Sequence, residues 1–122
     1  MNIISATFDT KTTEGLTKVF NATNGASEPL RNSVGEVLEI EDILIYSDTV
    51  TSFGNQPTES ELVAFFTTDG KTYAGVSSVA TKSAKNLIDM MNGNEEISPK
   101  ITFVEGQSQG GQKFVNLQLI SL

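Results

Sequence analysis

The chain has 122 residues, 38% of them hydrophobic, without cysteine, histidine or tryptophan, and eight Lys and Arg against fifteen Asp and Glu leave a formal charge of -7. That length makes one domain able to close around a single core without staples. The missing residue types exclude disulfides, thiolate nucleophiles, Cys/His zinc clusters and histidine acid–base chemistry, and the acidic balance argues against a nucleic-acid grip built on a broad basic surface.

The first residues, "MNIISATFDT", carry no basic segment followed by an apolar stretch, and no run is long enough to span a bilayer, so a cytoplasmic protein without membrane contact is expected. No internal repeat is visible. "IISATF" is rich in β-formers and predicts a first strand over about residues 3 to 8, followed by the polar turn "DTKTTEG". "LTKVFNA" at 16 to 22 is the second strand candidate. The Gly-, Asn-, Ser- and Pro-dense "TNGASEPLRNSVGE" reads as a loop with room for a short pairing segment.

In "VLEIEDILIYSDTV", Leu38 and Ile40 share one parity and Ile43 and Ile45 the other, with Glu41 and Asp42 at the change of phase. Side chains alternate with period two along a strand, so the slip requires a bulge, a sharp bend or two separate strands near Glu41. "ELVAFFTTDGKTYAG" carries a hairpin signal. A two-residue type I′ turn at Asp69-Gly70 would set Thr68 against Lys71, Thr67 against Thr72 and Phe66 against Tyr73.

Over 77 to 91 the period changes: Ala80, Ala84, Leu87, Ile88 and Met91 recur at helical spacing, and Lys82, Lys85 and Asp89 form the outward stripe. Ser77 or Ser78 caps the start, and Asn92-Gly93 ends it in a left-handed turn. This is the one helix expected. "KITFVEG" from about 100 and "QKFVNLQLISL" from about 112 supply two closing strands around the tip "GQSQGG", the last alternating Val115, Leu117 and Leu119 against Asn116 and Gln118. Several strands, a hairpin, one helix and two strands fit a mainly β, OB-fold-like five-stranded Greek-key barrel, its helix between strands three and four, with an extra N-terminal strand. A roll or an α+β sandwich has the same string of elements.

Signals for catalysis are poor. Glu41 and Asp42, or Glu59 and Glu61, offer paired carboxylates, but no calcium-loop spacing, phosphate-cradling glycine loop or nucleophile elbow accompanies them, and solvated charge is the better reading. "GQSQGG" lacks a Lys-Ser/Thr pair and reads as a hairpin tip. No catalytic residue, metal or cofactor is expected.

Among the aromatics, Phe8, Phe20, Phe65 and Phe103 alternate with apolar residues and read as core, while Phe114 is ambiguous. Tyr46 precedes the polar "SDT", Phe53 sits in the turn "VTSFGNQPTES", and Tyr73 follows the Asp69-Gly70 turn. In a barrel of this type the second and third strands, with loops at one end, form the binding face, and all three rings could gather there. Packing explains each ring alone equally well. Gathered, they would stack on exposed bases at about 1 to 3 kcal/mol per base.

Five segments, "ATFDT" at 6 to 10, "VFNA" at 19 to 22, "DGKTYAG" at 69 to 75, "LIDMM" at 87 to 91 and the later "VEGQSQGGQKFVNLQL", resemble, in order and at similar spacing, the small single-stranded DNA-binding proteins of phi29-type bacteriophages. The resemblance covers nearly the whole chain. It implies an early phage replication protein in the host bacterial cytoplasm, without enzymatic activity, that coats the strand displaced during protein-primed genome copying. It also implies DNA contact by the aromatics matching Tyr46, Phe53 and Tyr73. Phe53 stands where the family usually has tyrosine, keeping the stacking face and losing the hydroxyl. Lys71 and Lys113 are the candidate phosphate contacts. The expected partner is single-stranded DNA, with the phage DNA polymerase as a second candidate, and the expected state is a monomer or weak oligomer. Few cations imply a shallow salt dependence of binding. The alternatives are an acidic DNA mimic that occupies a basic host protein, or an assembly part with a large obligate interface.

Overall fold

The computed structural model describes residues 1–25, 27–50, 54, 56–93, 97–107, 109–111 and 113–122, Val50 by its backbone alone. Its strands are β1 (Asn2–Ala6), β2 (Glu28–Pro29), β3 (Val37–Val50), β4 (Thr58–Thr67), β5 (Thr72–Gly75), β6 (Lys100–Gln107) and β7 (Lys113–Ser121). Helix α1 (Thr13–Thr23) follows β1, a 3-10 turn (Leu30–Ser33) follows β2, and α2 (Ser78–Asn92) joins β5 to β6. The sheet runs β2-β5-β4-β3-β6-β7, with β1 on the free stretch of β3, and curls into an open half-barrel. This is the mainly β, OB-fold-like arrangement, with α2 between the third and fourth strands of the set β3 to β7 and β1 as the added N-terminal strand.

The phase slip in β3 is a bulge. Its register against β4 jumps between Ile40 and Asp42. Without the jump, Ile40 and Ile43 would face opposite sides. With it, Ile40, Ile43 and Ile45 all enter one inner cluster, joined by Val63 and Phe65 of β4, Ile101 and Phe103 of β6, and Ala80, Ala84, Leu87, Ile88 and Met91 of α2, with Leu38 packed against it. The intervening residues Leu44, Tyr46, Ala64 and Phe66 point the other way, into an outer cluster closed by Val19 and Ala22 of α1. Both faces of β3 and β4 are therefore covered, which is why "ILIY" and "VAFF" are unbroken apolar runs.

Three local expectations are corrected. The segment 16 to 22 belongs to α1, not to a strand: Thr12 caps the helix by accepting the Gly15 N–H at 3.0 Å, and Gly15, Val19 and Ala22 recur at helical spacing on the buried side. The β4–β5 turn is longer than two residues. Type I′ needs positive φ at both central positions, and Asp69 does not have it; Gly70 alone does. The Gly70 N–H returns to the Thr67 carbonyl at 3.1 Å and the Thr67 hydroxyl takes the Lys71 N–H at 3.0 Å, so Phe65, not Phe66, faces Tyr73. Finally, α2 starts where expected, its Ser77 cap accepting from Ala80, but Gly93 keeps a right-handed conformation at its end. On β7, Val115 is buried and Leu117 partly so, whereas Leu119, paired with the buried Ile101, is itself 40% exposed.

Candidate functional site

The structure does not gather the predicted aromatics on one face. Tyr46 lies between Ile3 of β1 and Leu62 of β4 and belongs to the outer cluster, 4% exposed. Burial, and then the Asp48 carboxylate, push its phenol above the ordinary range. Tyr73 lies between Phe65 and Glu28 and belongs to the inner cluster, 3% exposed. Burial raises its phenol too, with Lys71 pulling in the opposite direction. The two rings are thus on opposite sides of the sheet, and neither offers a face to solvent in this conformation. Phe53 lies outside the described residues. Lys71, at the β4–β5 turn, and Lys113, at the start of β7, line separate depressions.

Two other rings are more accessible. Phe20, read from the sequence as core, is 65% exposed on α1. The signal was present: Gly15, Val19 and Ala22 define the buried stripe, which leaves Leu16 and Phe20 beside it and outward. Phe114 is half-buried and sits across from Gly106 of β6, so close that its ring occupies the space a Cβ at 106 would need.

The charges are distributed unevenly. Lys18 is committed to the fold: its ammonium reaches Asp42 at 2.5 Å and lies over Phe8 and Phe66 at 5.3 and 5.4 Å from the ring centroids. Asp42 also accepts from the Thr7 hydroxyl at 2.8 Å, so this carboxylate has a structural role. Lys85 pairs with Glu61 at 2.9 Å.

Two depressions adjoin across the first turn of α2, sharing Val76 and Ser78. One, of about 470 Å³, occupies the open seam between β5 and β7, where Arg31, Lys113 and Phe114 line it. The Ser77 hydroxyl spans that seam, donating to the Val115 carbonyl at 2.7 Å. The other, of about 430 Å³, lies between α2 and β4 and is lined by Lys82, Lys85, Thr81 and Glu61. Four of the eight cationic residues of the chain therefore line one groove, with a single carboxylate among its walls. Arg31, Lys82 and Lys113 have no ion pair among the described residues. A protein of net negative charge has here a locally positive channel, with the positive end of α2 at its middle.

Residues 1–120 match the family described as phage single-stranded DNA-binding protein. The chain belongs to this family. A single-stranded DNA-binding protein of Bacillus phage phi29 is 34% identical over 119 residues, covering 97% of this chain and 95% of its own. The corresponding protein of Bacillus phage B103 is 30% identical over 120 residues, covering 98% of each. No solved structure gives a significant match. No described helix of the chain is long and apolar enough to cross a membrane.

Proposed function

We propose that the protein binds single-stranded DNA without sequence preference and coats displaced strands during phage DNA replication in the host cytoplasm, as a non-enzymatic monomer or weak oligomer working beside the phage DNA polymerase. The observation that carries this reading is the match of nearly the entire chain to the family. The concentration of cations in one channel removes the objection from net charge, because backbone contacts respond to local rather than total charge. Stacking on bases supplies the remaining adhesion, with Phe53 as the loop ring and Lys71 and Lys113 as phosphate contacts.

Tyr46 and Tyr73 can join the stack only if the layers over them open. Their participation has a direct readout, since they are the two tyrosines of a chain without tryptophan. Titration with a labelled thymine oligonucleotide, followed by anisotropy, is expected to show saturable binding, and a duplex of equal length much weaker binding. Absence of any anisotropy change would sink the reading. Quenching of tyrosine emission in the same titration would place a base against Tyr46 or Tyr73, whereas binding with unchanged emission assigns the stack to phenylalanine.

A further inference from the structure

We infer that the single strand lies in the channel across the first turn of α2, with Phe114 as a base platform, Arg31 and Lys113 as phosphate contacts at the β5–β7 seam, and Lys82 continuing the track between α2 and β4. This deepens the proposed function and rests on it.

The half-barrel is open where β5 and β7 would otherwise close it: the sheet ends at β2 beside β5 on one side and at β7 on the other. A strand needs a trough with a flat apolar wall for bases and cations at backbone spacing along it. The seam provides the Phe114 ring together with Arg31 and Lys113 along its walls. The Phe114 ring is held against Gly106, where the missing side chain leaves room for it, so it is fixed in orientation before any ligand arrives. A preset ring loses little freedom on stacking. Val76, 55% exposed where the two depressions meet, adds apolar surface at the crossing.

Of the four channel cations, Lys85 is neutralised by Glu61, leaving Arg31, Lys82 and Lys113 to meet phosphates. The buried hydroxyl of Thr81, a residue lining the α2–β4 part, has no hydrogen-bond partner among the described residues. The three channel contacts on a single strand contribute about -2 to the slope of log K against log salt concentration, in keeping with the shallow dependence expected from so few cations.

The experiment is an anisotropy titration of a labelled thymine oligonucleotide at several salt concentrations with three variants of the full chain. Phe114→Leu keeps an apolar contact over Gly106 and removes the stacking face. The double variant Arg31→Ala/Lys113→Ala removes two channel charges, and Lys11→Ala/Lys100→Ala removes two charges elsewhere on the surface. Phe114→Leu and the channel double variant are each expected to weaken binding about tenfold. The channel double variant should also flatten the salt slope by about 1.4, and the surface double variant should change affinity less than about twofold. Thermal melting monitors folding; should Phe114→Leu fail to melt cooperatively, the comparison of the two charge variants decides. Wild-type binding with undiminished affinity in the channel variants, or equal losses in both charge variants, overturns this path and leaves the proposed function standing. A wild-type protein that ignores the oligonucleotide overturns both.

Discussion

Helix α2 buries Ala80, Thr81, Ala84, Leu87, Ile88 and Met91 against the sheet, whereas α1, of comparable amphipathicity, buries only Gly15, Val19 and Ala22 and holds Leu16 and Phe20 in solvent. The difference lies in residue size. The large side chains of α2 fill the half-barrel and join five strands, β3 to β7, into the inner cluster. The small buried stripe of α1 contributes only Val19 and Ala22 to the cluster with Leu44, Tyr46 and Phe66, and so acts as a thin cover over them. One helix is part of the core, and the other lies on it.

The largest expected consequence is in stability. Phe65 is fully buried and packs edge-on to Phe103 with ring centroids 5.1 Å apart. Phe65→Ala should destabilise by about 3 to 5 kcal/mol in urea unfolding, from lost transfer energy and the cavity left behind. Phe20→Ala, on the exposed side of α1, should stay within about 0.5 kcal/mol. A loss at Phe20 approaching that at Phe65 would mean that the outer side of α1 is covered in solution, and the contrast between the helices would fail.

The next effect is a sign reversal. Replacing glycine by alanine inside a helix ordinarily stabilises by about 0.4 to 1 kcal/mol through the unfolded chain. At Gly15 the added Cβ would collide with the Asp9 carbonyl oxygen, a backbone atom that cannot swing aside. Gly15→Ala is therefore expected to destabilise by about 1 to 3 kcal/mol, the usual range for overpacking. A stabilised variant in the same unfolding assay would show that α1 does not press on the chain before it as closely as described.

The same contrast explains what the sequence revealed. Helix α2 was legible because its buried residues are large and recur at helical spacing, and because Ser77 is a strong cap. Helix α1 is hard to see because two of its three buried residues, Gly15 and Ala22, are small, while the conspicuous Leu16 and Phe20 face outward. The bulge at Glu41 could be inferred because parity is a strict rule along a strand. The β4–β5 register slipped by one because Asp-Gly suits both a two-residue turn and a longer one with glycine last, and the Thr67 hydroxyl that favours the latter acts through a side-chain bond. Lys113, a candidate from the sequence, lines the channel, but the channel itself is not legible there. Arg31 and Phe114 meet, with Lys82 in the adjoining depression, because the half-barrel remains open between β5 and β7, and no local pattern encodes where a sheet closes.

The smallest effect separates the two covers most finely. Tyr46 lies beneath α1 and Tyr73 within the inner cluster, and burial raises both phenols above the ordinary value of about 10. Each therefore holds its proton more firmly in the folded chain than in the unfolded one. Their contribution to stability is complete below pH of about 10 and is lost as pH rises through the raised values, because the native state then binds more protons than the unfolded state. If α1 is the thinner cover, it should open locally at lower free energy than the inner cluster does. Tyrosinate absorbance should then appear from Tyr46 at lower alkaline pH than from Tyr73, with Tyr46→Phe and Tyr73→Phe assigning the two steps. Simultaneous ionisation coincident with global unfolding would mean that α1 leaves the sheet only when the inner cluster does, making the two helices energetically one unit despite their different packing.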